Sequence, residues 1–322
     1  MHARCRLKDE WVTMLLEATG ILTIMGALHF GVRAAIRRGF RIPNQDHQTT
    51  PDKYGLPARD VTIDTANGKQ LFGWLITVSS GLPAPTILVM HGWRANAALM
   101  LSAVRSLHQA GYALLLIDAR CHGRSEDDQF SSMPRFAEDV EHAMDWLARQ
   151  PEIDPRRIVL LGHSVGAGAV LMVSARRHGI AAVVSVSAFA HPKEVMLRLL
   201  SRQHLPYMPF GWYVIQQVQR LIGYRFDDIA PEHTIKLGDC PVLLAHGIKD
   251  EVVPFADAQR LLTAGLKANR PVQLLALEGD HELSNALLQH EATLLDFLSR
   301  ACGTETTAPQ YPGKKRLSDP CH

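Results

Sequence analysis

The sequence predicts an α/β fold: a mostly parallel sheet opened by antiparallel strands and preceded by an apolar helix. Three observations carry this. Short apolar runs alternate with stretches of helical period along most of the chain, the pattern of strands joined by crossover helices. One run, Ala113-Leu114-Leu115-Leu116-Ile117, contains no polar residue, as a strand buried on both faces requires. The run Ile158-Val159-Leu160-Leu161 passes into Gly162-His163-Ser164-Val165-Gly166 and then Ala167-Gly168-Ala169, which reads as strand, sharp turn and helix.

The elements follow in order. Residues 11–35 are mostly apolar, with Glu17 near one end and His29 inside. As a helix they would span about 37 Å, enough for a tilted membrane crossing. Arg33, Arg37, Arg38 and Arg41 follow and suit lipid headgroups. They outnumber Arg4, Arg6 and Lys8 on the other flank, which places the following domain on the cytoplasmic side. With no small-x-small cleavage site, the segment reads as a retained anchor; an amphipathic or core-docked helix is the alternative. The expected division is residues 1–42 as anchor helix and basic flank, 43–302 as the α/β domain and 303–322 as a polar, disordered tail. A chain starting near Ile42 is expected to be soluble.

Val61, Ile63 and Thr65 alternate before Asn67-Gly68, a hairpin signal, and Leu71 to Ile76 return as the second strand. Thr86 to Met90 form the next strand. Phe136, Val140, Ala143, Met144 and Leu147 recur at helical spacing. Asp154-Pro155 marks a turn into the strand before Ser164, and Ala181 to Val186 read as the sixth strand. Residues 188–238 exceed a simple crossover and read as a short cap. Their aromatics, among them Tyr207, Phe210, Trp212, Tyr213 and Tyr224, either line a pocket or pack the cap onto the core. The last two strands are Pro241 to Ala245 and Val272 to Leu277.

The loops carry the chemistry. Glycines flank Ser164 because a strand-to-helix elbow is crowded, and the turn lifts the hydroxyl above the sheet edge. A serine hydroxyl needs a base to take its proton and a carboxylate to orient that base. Asp250 follows the strand ending at Ala245, and His281 follows the strand ending at Leu277. Both therefore fall at the carboxyl edge of the sheet, where such groups gather. Ser164, Asp250 and His281 are the candidate nucleophile, orienting acid and base. Glu251 and Asp257 are alternatives to Asp250, and His246, His233 and His290 to His281. Asp280 reads as a loop cap, and His91, His163 and His246 as structural. Candidate oxyanion donors are the backbone N–H of Val165 and that of Trp93, in the loop His91-Gly92-Trp93.

These residues resemble the α/β-hydrolase superfamily, in particular single-domain bacterial serine hydrolases of the dipeptidyl-aminopeptidase and acylaminoacyl-peptidase type. The resemblance runs over about residues 60–300. It rests on His91-Gly92-Trp93, Asp118-Ala119-Arg120-Cys121-His122-Gly123-Arg124-Ser125, the Ser164 elbow, His246-Gly247 with Asp250 and Val253-Pro254, and Gly279-Asp280-His281. One departure is Cys121, which stands where the family pattern has glycine. Asp118, Arg120 and Ser125 read as scaffold residues. The resemblance implies hydrolysis of a carboxylic ester, or an amide or thioester, of a small acyl substrate through an acyl-enzyme. It implies no cofactor. The alternatives are an aminopeptidase and, in another class, a non-catalytic binding protein on the same fold. Serine at the elbow excludes chemistry that needs aspartate there.

The composition agrees. A 47% hydrophobic content over 322 residues supports a large core. A net charge of +2, without basic stretches interleaved with aromatics, gives no support for nucleic-acid binding. Cys5, Cys121, Cys240, Cys302 and Cys321 show no paired spacing, which argues for a reducing compartment. No metal-ligand motif appears.

Overall fold

The computed structural model describes residues 2–42, 45–79, 82–282 and 284–303. The expected tail therefore lies, from residue 304 onward, outside the described residues. The chain opens with α1 (His2–Gly39). The hairpin β1 (Ala58–Thr65) and β2 (Lys69–Ile76) pairs antiparallel, with Asn67 and Gly68 both at positive φ, as the Asn-Gly turn predicts. Then come β3 (Ala84–Met90), α2 (Leu101–Gln109), β4 (Ala113–Ile117), α3 (Met133–Leu147), β5 (Ile153–His163), α4 (Val165–Ser174) and β6 (Ile180–Val186). The segment after β6 holds α5 (Pro192–Arg202), a wide turn at Tyr207–Gly211, α6 (Trp212–Ile222), α7 (Phe226–Ile229) and α8 (Pro231–Thr234). The chain then runs through β7 (Val242–Gly247), α9 (Phe255–Lys267), β8 (Val272–Leu277), α10 (Ser284–Gln289) and α11 (Glu291–Cys302).

The eight strands form one sheet in the order β1-β2-β4-β3-β5-β6-β7-β8, parallel from β4 to β8. Leu88, Leu115 and Leu160, on its central strands, are fully buried with the helices of one face. Burying each such side chain stabilises the fold by about 1.5–3 kcal/mol. Helices α3, α4 and α9 and the segment after β6 cover this face; α2 and α11 cover the other. The crossovers around β3 therefore leave on opposite faces, and a crevice opens between the carboxyl ends of β3 and β5.

Three local features bear on the sequence reading, and each has a physical cause. Asp154-Pro155 is no separate turn. Instead β5 begins at Ile153 and its pairing with β3 shifts register before Ile158, while Asp154 Oδ1 takes the Arg156 N–H at 3.0 Å. Cys121 keeps the left-handed conformation of the glycine it replaces, at φ 66°. Its sulfur bonds the Asp128 N–H at 3.2 Å and carbonyl at 3.4 Å. Helix α1 runs on to Gly39, and Val32, Ile36 and Phe40 pack against the core. A cut at Ile42 would strip those contacts, so a cut that spares the core must fall before Val32.

Candidate active site

Ser164 sits between β5 and α4 at φ 54°, ψ −114°, a backbone region that costs about 1–3 kcal/mol for a non-glycine residue. The surroundings hold it there. A Cβ on Gly162 would lie 2.3 Å from the Gly166 carbonyl oxygen, and one on Gly166 would lie 2.4 Å from that of His91. The Ser164 N–H is tied to the Val186 carbonyl of β6 at 2.8 Å.

The loops after β7 and β8 bring the other two candidates to the serine. His281 Nε2 lies 3.1 Å from Ser164 Oγ, and His281 Nδ1 lies 2.7 Å from Asp250 Oδ2. Because a carboxylate only accepts, Nδ1 carries the hydrogen and Nε2 is left to receive the serine proton. Asp250 Oδ1 accepts the N–H groups of Val252 and Val253 at 2.9 and 2.8 Å. Burial raises the Asp250 pKa, but contacts from His246, His281 and the Val253 N–H outweigh it and hold the carboxyl well below the usual range. His246 gives its Nε2–H to the Val253 carbonyl at 2.9 Å and stands 3.4 Å from Asp250 Oδ2.

The alternatives fall elsewhere. Glu251 and His233 point to solvent. Asp257 is buried beside Arg198 and Arg260, at 3.5 and 3.7 Å. His290 precedes α11. Asp280 Oδ1 takes the Glu282 N–H at 3.0 Å, as a loop cap does.

The candidate oxyanion donors are placed by two different devices. The Val165 N–H lies in the first turn of α4, where no intrahelical acceptor exists. The Gly92 carbonyl accepts His91 Nδ1–H at 2.7 Å, while His91 Nε2 accepts the Ala119 N–H at 3.0 Å. In a trans peptide the N–H points opposite to the carbonyl, so the Trp93 N–H is turned away from that imidazole. Gly92 itself comes so close to the elbow that a Cβ would lie 3.2 Å from Ser164 Cβ. Burial lowers the His91 pKa and keeps this bridging imidazole neutral.

His163 does more than pack. Its Nε2–H reaches the carbonyl of His281 at 2.9 Å, and the two rings lie 5.0 Å apart. Burial lowers its pKa too. Its position inside the elbow was the one sequence signal available. Asp118, Arg120 and Ser125 are scaffold. Asp118 accepts the Ala97 and Arg124 N–H groups and His47, Arg120 pairs with the buried Asp139 at 2.7 Å, and Ser125 bonds the Asp118 carbonyl at 2.6 Å.

A cavity of about 80 Å³ opens beside Ser164 and His281. Its apolar wall comes from Leu99, Met100, Ala103, Val186 and Leu287. Of the two readings of the cap aromatics, packing onto the core is the one the structure shows for most of them. Phe189 and Phe226 are buried, Phe210 and Tyr224 pack against the core, and Tyr207 and Trp212 face outward. Among the described residues, no cluster of three or more histidine, cysteine or acidic side chains could hold a metal ion.

Sheet order, elbow and crevice define an α/β hydrolase. The chain belongs to the α/β-hydrolase superfamily, and residues 81–237 match the Hydrolase_4 family, described as serine aminopeptidase, S33. It is 30% identical over 269 residues to the uncharacterized protein Rv2307c of Mycobacterium tuberculosis, covering 84% of this chain and 86% of that one. The Pyrococcus furiosus esterase Pf2001 shares the fold at a TM-score of 0.66 and 22% identity, over 82% of this chain and 98% of the esterase. A Pyrococcus horikoshii acylaminoacyl peptidase aligns at a TM-score of 0.61 and 15% identity, over 79% of this chain and 43% of the peptidase.

Proposed function

We propose that this protein is a membrane-anchored serine hydrolase that cleaves carboxylic esters through an acyl-enzyme. The observation that carries the reading is the continuous hydrogen-bond path from Ser164 Oγ through His281 to Asp250, at 3.1 and 2.7 Å. Ser164 Oγ attacks the substrate carbonyl carbon as its proton passes to His281 Nε2. The N–H groups of Val165 and Trp93 hold the developing oxyanion. His281 then gives the proton to the departing alkoxide as the ester C–O bond breaks. Water repeats the sequence and frees the acid. Asp250 keeps the imidazole in the accepting tautomer and stabilises its protonated form. The apolar cavity would take the acyl or the alcohol side of a small ester. Helix α1 would supply the anchor, and its arginine-rich end favours the cytoplasmic side for the domain.

One observation favours an aminopeptidase as the second reading. Glu282 lines the cavity beside His281, where a carboxylate could pair with a substrate ammonium. The test is labelling by a fluorophosphonate, followed by a panel of p-nitrophenyl esters and aminoacyl-naphthylamides. Ser164→Ala should abolish labelling and lower kcat by on the order of 10⁶. Labelling of the alanine variant would refute Ser164 as nucleophile. Naphthylamide turnover that collapses in Glu282→Gln, with ester turnover spared, would select the peptidase.

A further inference from the structure

The exposed face of the cap adjoins the one helix, among the described residues, that is long and apolar enough to cross a membrane. Residues 201–209 are exposed throughout, and the turn there carries Leu205, Pro206, Tyr207, Met208 and Pro209. Met208 is 62% exposed and Trp212, the first residue of α6, 48%. Soluble surfaces do not usually gather such residues into one apolar patch.

The patch has a fixed level along α1. Helix α6 touches α1, and His29 Nδ1 hydrogen-bonds the Tyr213 hydroxyl. Toward the N-terminus of that contact, the described apolar side chains face outward: Trp11, Leu15, Leu22, Met25 and Leu28 are all strongly exposed. Toward the C-terminus, Val32, Ile36 and Phe40 face the domain. Residues 11–30 as a helix measure about 30 Å, the thickness of a bilayer's hydrocarbon core. His29 and Phe30 then mark the exit from the membrane. Trp212 and Tyr213 stand at that exit, where amphipathic aromatics are favoured.

Charge agrees with this placement. The sequence has no acidic residue between Glu17 and Asp46, nor between Glu194 and Asp227. The first interval carries Arg33, Arg37, Arg38 and Arg41; the second carries Arg198, Arg202, Arg220 and Arg225. Arg198 lies 3.5 Å from Asp257 and Arg225 3.6 Å from Asp227. Among the described residues, Arg202 and Arg220 pair with no carboxylate. Basic side chains beside a membrane exit are attracted to anionic headgroups.

We infer that the cap is a second membrane contact: the turn at Leu205–Met208 and Trp212 rest in the headgroup layer of an anionic bilayer beside the point where α1 leaves it. The inference rests on the reading of α1 as a membrane anchor. It sets the distance of the candidate site from the lipid. From Phe30 to Phe40 the helix climbs about 15 Å, and the Phe40 ring lies 5.9 Å from that of Trp93.

The test uses the full-length chain in vesicles of phosphatidylcholine and phosphatidylglycerol, with Cys5 and Cys321 replaced by serine. An environment-sensitive fluorophore is attached at Met208→Cys and, separately, at Leu205→Cys. A control label at Leu82→Cys sits just before β3, at the sheet edge opposite Ser164. Phosphatidylcholine bearing a nitroxide near the top of its acyl chain should remove about half the emission of the first two labels, as expected at headgroup depth, and leave the control unchanged. A chain that resists alkaline carbonate while both cap labels stay unquenched overturns the cap contact and leaves the anchor standing. Release of the chain by carbonate overturns the anchor, and the cap contact with it.

Discussion

Asp250→Asn isolates the orienting carboxylate at almost constant shape. Asp250 Oδ1 receives two backbone N–H groups, from Val252 and Val253 at 2.9 and 2.8 Å. The NH2 of an asparagine cannot accept them, so the amide oxygen must stay on that side. The amide nitrogen then faces His281 Nδ1, where Asp250 Oδ2 now accepts at 2.7 Å. Nδ1 must become the acceptor, the ring proton moves to Nε2, and the imidazole presents a donor to Ser164 instead of a lone pair. Catalysis by the wrong tautomer costs about 10⁴ in kcat, or about 5.4 kcal/mol of transition-state stabilisation at 1.36 kcal/mol per decade. KM should change little, because no substrate contact is removed. The assay is kcat and KM on a p-nitrophenyl ester, with the fold checked by the urea midpoint. Retention of more than about a tenth of kcat would refute the reasoning. So would an equal loss in Asp257→Asn with Asp250 intact.

Two further predictions concern stability. Burial pushes the His122 pKa down to about 3 from 6.5, and His91 and His163 move in the same direction. Below pH 6.5 the unfolded chain binds protons that these folded imidazoles refuse. Stability should therefore fall as pH drops from about 6.5 toward about 3, by up to about 1.4 kcal/mol per pH unit for each histidine; urea midpoints that match at pH 7 and pH 5 would contradict this. Phe40→Ala should cost roughly 1–2 kcal/mol, less than the about 3 kcal/mol of a fully buried phenylalanine, because the ring packs on Trp93 and the core only in part. An unchanged midpoint would mean that the end of α1 is not part of the folded domain.

The fold and the candidate site differ in how far the sequence discloses them. The elbow was legible because its geometry is local: Gly162 and Gly166 are required by contacts within a few residues and one neighbouring strand. Asp250 and His281 were legible because each follows a recognisable strand, and parallel strands deliver their loops to one edge. The cavity wall was not. Leu99, Met100 and Leu287 come from segments whose pattern shows only that a helix is near, and which side chain faces Ser164 depends on how those helices pack. The same holds for Phe40 against Trp93, which are 53 positions apart by their numbers. Cys121 shows the reverse case. It departs from the glycine of the family pattern, which left the loop geometry open, and the backbone keeps a left-handed turn at φ 66° although the residue has a Cβ.

The histidines separate by what their two nitrogens meet. His91 and His122 each use one nitrogen on a backbone carbonyl and the other on a backbone N–H. Such a ring bridges two strands of backbone and has no lone pair left for a substrate. His246 and His163 each donate to one carbonyl, of Val253 and His281. His47 does meet a carboxylate, Asp118 at 2.8 Å, but that group also accepts the Ala97 and Arg124 N–H groups and belongs to the loop scaffold. His281 alone, among the described residues, has a carboxylate on one nitrogen and a serine hydroxyl on the other. A general base needs that asymmetry: one side fixes the tautomer and receives positive charge, while the other exchanges a proton with the reacting oxygen. The neighbouring imidazoles have a different task. His91 orients the Gly92–Trp93 peptide and His163 holds the carbonyl of His281, so the burial that keeps them neutral also keeps the loops of the candidate site in place.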